Sequence, residues 1–238
     1  MQWLSQRLEF PHPDSADGDG VVAVGGDCSV ARLLLAYQSG IFPWPVNRSL
    51  PMFWFSPDPR YVVVPREAHL GRSLRKQVRR GVYEVRADTA FDAVIEACAR
   101  AHRPGQRGTW ITPSLRAGFS ALHREGYAHS IEAWAGDRLV GGLYGLSLGG
   151  AFFGESMFAL EPDASKVAFA VLLGNLVHWD FAFVDAQTRT DHLARFGAIP
   201  WPRREFLAHL DLALKVPTRR GPWVFGLPPG EAIDLIPG

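Results

Sequence analysis

At 238 residues the chain can hold one large domain, or a small domain beside a medium one, and 47% apolar with 21% charged residues is the composition of a globular protein in water. A formal net charge of +1 excludes a global field that would draw it to nucleic acid or membrane, so any basic footprint must be local. Two cysteines, Cys28 and Cys98, make no disulfide framework and point to a reducing, cytoplasmic setting. Met1 to Arg7 lack an apolar stretch, so no signal peptide is expected. The longest apolar run, residues 167–177, includes Gly174 and Asn175 and is too short to span a bilayer.

Residues 10–20, rich in Pro, Asp and Gly, read as loop. Residues 21–24 read as a strand, Gly25-Gly26-Asp27 as a turn, and residues 29–39 as a helix whose apolar face is Leu33, Leu34 and Tyr37, with Gly40 past its end. The turn lacks the glycine spacing and the lysine of a phosphate loop. Gly40-Ile41-Phe42-Pro43-Trp44-Pro45 and Phe53-Trp54-Phe55-Ser56-Pro57-Asp58-Pro59-Arg60 follow. Proline fixes φ, so these are expected to be rigid loops holding aromatic rings, either a cover over a small core or a stacking wall for a base or an apolar side chain. Residues 1–62 are expected to form a small N-terminal α/β domain with Trp/Pro-rich loops, and residues 63–238 a second, catalytic domain.

The helix expected over residues 69–81 gathers Arg72, Arg75, Lys76, Arg79 and Arg80 on one side and Leu70, Leu74 and Val78 on the other. Such a face is either solvated or a local footprint for phosphates. Residues 88–100 read as an amphipathic helix and residues 102–108 as a basic loop. Trp110 precedes a helix capped by Thr112 with Pro113 in its first position. Strands are expected at 129–134, 139–147 and 151–158, a helix at 164–178, a strand at 181–187, and helices at 191–196 and 202–214. This order predicts an α+β fold with a mixed, mainly antiparallel sheet flanked by helices.

Two strands carry the chemistry. In Phe152-Phe153-Gly154-Glu155-Ser156-Met157-Phe158, alternation puts Phe153, Glu155 and Met157 on one face. In Val184-Asp185-Ala186-Gln187 it pairs Asp185 with Gln187. A carboxylate among apolar groups is costly without a partner or a task, so these are either satisfied core acids or working ones. The eight histidines and two cysteines show no metal-binding spacing, and neither cysteine has an evident activating base.

An ordered set of short motifs runs from about residue 20 to about residue 210: Gly25-Gly26-Asp27-Cys28-Ser29, Ala36-Tyr37, Gly40-Ile41-Phe42-Pro43-Trp44, Trp54-Phe55-Ser56-Pro57-Asp58-Pro59-Arg60, Gly108-Thr109-Trp110-Ile111-Thr112, Gly154-Glu155-Ser156-Met157-Phe158, Ala164-Ser165-Lys166, Asp185-Ala186-Gln187 and Asp191-His192. Together they resemble the bacterial leucyl/phenylalanyl-tRNA–protein transferases. The resemblance implies an acetyltransferase-like (GNAT-like) catalytic domain, and transfer of Leu or Phe, or Met, from aminoacyl-tRNA to the α-amino group of proteins beginning with Arg or Lys. That transfer marks the acceptors for N-degron degradation. It casts Asp185 as proton acceptor at one remove, Gln187 as its relay, and Glu155 as the acid that orients the amine or attracts the basic N-terminal residue. Direct base action by Asp185 stays open. The aminoacyl and adenosine pocket it implies comprises Trp44, Trp110, Phe152, Leu143, Leu172 and Leu176, and the basic helix (Arg72, Arg75, Lys76, Arg79, Arg80) meets the tRNA. No cofactor or metal is implied. Coenzyme A users of that fold hold pyrophosphate on a glycine-rich turn; here the connection Ala159-Leu160-Glu161-Pro162-Asp163-Ala164-Ser165 has acids and no glycine, so CoA is not expected. The competing readings are a CoA-dependent N-acyltransferase of the same fold and a non-catalytic RNA-binding protein.

Overall fold

The computed structural model describes residues 2–45, 50–101 and 109–237. The basic loop expected over residues 102–108 lies outside them. Strands β1 (Gln2–Leu4), β2 (Val21–Gly25), β3 (Phe42–Pro43) and β4 (Phe53–Phe55) form a small sheet in the order β1-β2-β4-β3. The aromatic, proline-flanked stretches expected to be rigid loops are therefore partly strands. Aromatic rings suit a pleated surface, and Pro43 sits on the edge strand, where a missing N–H leaves no ladder bond unmade. Helix α1 (Val30–Gln38) packs on this sheet, capped by the Ser29 hydroxyl, which accepts from the Arg32 N–H. Its Leu33, Ala36 and Tyr37 are buried.

The remaining elements in chain order are β5 (Arg60–Val63), α2 (Arg72–Arg79), β6 (Glu84–Ala87), α3 (Phe91–Arg100), α4 (Pro113–Arg124), β7 (Ala128–Ala135), β8 (Arg138–Leu148), β9 (Ala151–Ala159), α5 (Ala164–His178), β10 (Phe183–Gln187), α6 (Asp191–Ala194), β11 (Ile199–Trp201), α7 (Arg203–Ala213) and α8 (Pro229–Asp234). Seven strands pair in the order β11-β5-β10-β9-β8-β7-β6. Within this sheet only the β9–β10 pair is parallel, joined by α5 as a crossover, so the fold is mixed α+β. Residue 62 lies inside β5, which pairs with β10 and β11 of this large sheet. The sheet separates two cores. Phe153, Tyr144 and Leu146 face one with residues of α1, α3 and α4; Phe152, Leu143 and Val184 face the other with α5, which is buried nearly all round.

Pairing between β9 and β10 runs from Phe183↔Ala151 to Asp185↔Phe153, and just beyond it both strands bulge. On β9, Gly154 and Ser156 oppose Gly145 and Tyr144, leaving Glu155 extra; on β10, Asp185 and Gln187 oppose Val62 and Tyr61, leaving Ala186 extra. The first bulge corrects the expected alternation: Phe153 and Met157 pack into opposite cores rather than sharing a face. The second turns Gln187 into a left-handed conformation, with φ of 62°.

Candidate active site

The two bulges open the floor of a cleft of about 520 Å³. Trp44 and Trp110 line its wall with Leu143, Met157, Phe169 and Leu193, and Glu155, Asp185 and Gln187 line its floor. Phe152, Leu172 and Leu176, expected in the same pocket, do not line it. All three are fully buried in the core that α5 forms with the sheet, Phe152 from β9 and the two leucines from α5 itself.

The floor is one hydrogen-bonded chain. Asp185 is fully buried and is gripped bidentately by Arg60: Nε donates to Oδ1 at 2.8 Å and Nη2 to Oδ2 at 2.6 Å. Oδ1 also accepts the main-chain N–H of Gln187 at 2.8 Å. The Gln187 side-chain amide points elsewhere, donating to Oε1 of Glu155 at 2.8 Å. The Tyr37 hydroxyl donates to that same oxygen at 2.6 Å. Glu155 is 8% exposed, and its Oε2 is buried without a hydrogen-bond partner among the described residues. Burial first, then the nearby Asp185 charge, raises its pKa to about 8, against the lowering pull of Tyr37, Gln187 and Arg60. Tyr37 is pushed well above the usual phenol range by burial and by Glu155.

So Asp185 and Gln187 do meet, but through the main chain, and the amide serves Glu155. Arg60 and Tyr37 are the polar partners that the sequence analysis did not single out. Arg60 is the one cation at the head of the apolar run Tyr61-Val62-Val63, a signal that was there to read; Tyr37 sits on an apolar helix face, which hides its hydroxyl from a reading by period.

On α2, Arg72, Lys76 and Arg80 are exposed and have no acidic partner among the described residues. Arg75 is half-buried and ties the C-terminal tail, donating to the carbonyls of Ile233 at 3.0 Å and Ile236 at 2.9 Å. Arg79 pairs with Asp234 at 2.6 Å. Next to the start of α2 is a second cavity, lined by His69, Ser73, Lys166 and Arg195, which meets the cleft at His192. Cys28 is half-buried, with its thiol pKa raised by burial, which opposes a nucleophilic role.

Comparison with known proteins identifies the family. Residues 62–211 match the family model described as leucyl/phenylalanyl-tRNA protein transferase, and residues 26–58 match that of its N-terminal domain. Relatives named leucyl/phenylalanyl-tRNA–protein transferase include one from Myxococcus xanthus (strain DK1622), 58% identical over 217 residues, covering 91% of this chain and 92% of the relative. Another, from Anaeromyxobacter sp. (strain Fw109-5), is 56% identical over 220 residues, covering 92% and 93%. A third, from Nitratidesulfovibrio vulgaris (strain DP4), is 54% identical over 214 residues, covering 90% and 91%. The chain belongs to the leucyl/phenylalanyl-tRNA–protein transferase family, and is an aminoacyltransferase.

Proposed function

We propose that this chain moves Leu, Phe or Met from aminoacyl-tRNA to the α-amino group of proteins that begin with Arg or Lys, marking them for N-degron degradation in the cytoplasm. The catalytic domain, built on the large sheet, is acetyltransferase-like, and the small N-terminal sheet with its loops adds the Trp44 wall. An aminoacyl ester is already activated, so its aminolysis requires no nucleotide hydrolysis and no cofactor. The acceptor amine ionises near pH 7.7–8.0 and must lose its proton before it attacks.

The observation that carries the mechanism is the state of Glu155. One oxygen is held by Tyr37 and Gln187, the other is buried with no hydrogen-bond partner among the described residues, and burial raises the group's pKa to about 8. That value matches the amine, as efficient proton transfer requires. Glu155 therefore takes the proton directly. Asp185, whose oxygens are filled by Arg60 and the Gln187 N–H, holds the floor in place, and Gln187 orients Glu155. The amine nitrogen forms the new C–N bond as the ester C–O bond breaks. It sheds two protons, one to the leaving 3′ oxygen and one to solvent through Glu155. Trp44 and Trp110 stack the terminal adenosine, while Leu143, Met157 and Phe169 receive the acyl side chain. The exposed cations Arg72 and Lys76 of α2 and Arg80 at its C-terminal cap, which have no acidic partner among the described residues, hold the backbone of the acceptor stem, and the second cavity carries that path to the cleft.

The test is transfer of labelled leucine from Leu-tRNA to peptides beginning with Arg, Lys or Ala, with acetyl-CoA as a competing donor. Label on the Arg and Lys peptides alone, and no acetyl transfer, is the expected result. Tight tRNA binding with no labelled peptide would leave a non-catalytic RNA-binding protein.

A further inference from the structure

Arg60 is enclosed more completely than the stability of an ion pair would require. It is fully buried on β5. Its guanidinium lies between two rings, 4.5 Å from the Phe42 centroid and 4.6 Å from that of Phe206. Nη1 donates to the Gly40 carbonyl at 3.2 Å, while Nε and Nη2 take both oxygens of Asp185. One residue thus joins the end of α1, the Phe42 wall of the cleft, α7 and the cleft floor. Buried ion pairs are often replaceable by apolar residues with no loss of stability. What an apolar pair cannot supply is an acceptor for the Gln187 N–H at a left-handed residue, which is the bond that Asp185 makes.

We propose that Arg60 is a positioning residue for the transfer reaction: by fixing the Asp185 carboxylate it sets the Gln187 main chain and so aims the Gln187 amide at Glu155. The chain of contacts is continuous, from Arg60 to Asp185, from Asp185 to the Gln187 N–H, and from the Gln187 amide to Glu155. A lysine in place of Arg60 keeps the charge but loses the planar fork that makes two parallel bonds and fills the gap between two rings. Arg60 also acts at a distance: its charge helps to hold the Glu155 ionisation down. This inference rests on the proposed function for its kinetic readout, and on the Gln187 geometry for an independent one.

The experiment compares the wild type with Arg60→Lys, Arg60→Met and the charge-neutral double variant Arg60→Met/Asp185→Asn. It measures thermal midpoint, kcat, KM for Leu-tRNA, the kcat–pH profile and the Gln187 amide resonances. In folded Arg60→Lys, kcat falls at least about tenfold, or about 1.4 kcal/mol, with KM within about twofold of wild type. In Arg60→Met the rising limb of kcat moves to higher pH and the Gln187 main-chain amide proton moves upfield. The double variant, which removes the unpaired buried charge and still offers that N–H an amide oxygen, regains part of the lost kcat. Folded single variants with wild-type kcat, pH limb and Gln187 resonances would overturn the proposal. So would losses in kcat that follow the thermal midpoint alone, with an unmoved limb. A wild type that transfers nothing would defeat the functional reading by itself, and the Gln187 resonances would still decide whether Arg60 sets that residue.

Discussion

Glu155 and Asp185 stand on neighbouring strands, both buried and both beside a bulge, yet their surroundings treat them in opposite ways. Asp185 has a guanidinium across both oxygens. Glu155 has a phenol and an amide on one oxygen and nothing among the described residues on the other. A buried carboxylate gripped by a guanidinium is held in place; one without such a grip, its pKa raised to about 8 by burial, can exchange a proton near the pH at which amines ionise. The site obtains two different tools from the same functional group by placing one arginine.

The comparison is broken most severely by removing the carboxylates one at a time. Asp185→Ala leaves Arg60 as an unpaired buried cation and should cost about 3–5 kcal/mol of unfolding free energy in urea titration. Glu155→Gln should fold as well as wild type at pH 7 while kcat falls about a hundredfold or more. It should also change how stability depends on pH. Burial raises Glu155 from an ordinary 4.5 to about 8, so between those values the folded chain binds more protons than the unfolded one. The stabilisation from this group is full below the unfolded value and is lost as pH rises through the folded one, by at most about 1.4 kcal/mol per pH unit. The glutamine variant should lack that decline.

Tyr37→Phe tests the same asymmetry more gently. It removes a hydrogen bond that favours the charged form of Glu155, so the rising limb of kcat should move to higher pH and the rate at pH 7 should drop about tenfold, ~1.4 kcal/mol. The smallest effect concerns α2. Arg80→Ala should reduce the salt dependence of tRNA binding by about one phosphate contact and leave stability alone. Arg75→Ala should instead loosen the tail near Ile233 and Ile236 and be read in thermal stability, with the salt slope unchanged.

The polar residues of the floor could be named from sequence because strands advertise them: Glu155 and Asp185 interrupt apolar runs, and that costs free energy unless the residue is used. Their orientation could not. Alternation assumes an unbroken ladder, and both strands gain a residue at the point that matters, so Phe153 and Met157 part company and Gln187 turns its amide to Glu155. Phe152, Leu172 and Leu176 looked like pocket residues because size and apolarity do not say which side of the sheet a residue faces. Aromatic stretches between prolines read as loops because proline dominates local propensity, whereas their pairing partners lie 13 and 34 residues away, as Phe42↔Phe55 and Phe55↔Val21 show. The basic helix was visible by its period, but the tail that claims Arg75 sits more than 150 residues away, beyond any local signal.

The paired bulges carry one more consequence. They make the number of residues in β9 and β10, and not just their identity, part of the candidate active site. Deleting Gly154 would let β9 resume a regular ladder against β8, mending a backbone irregularity while carrying Glu155 out of its place beside Tyr37 and Gln187. A scan of substitutions would never sample such a change. Across homologous chains, length should therefore be held fixed through these two strands even where side chains vary, while the surface loops between other elements remain free to grow or shrink.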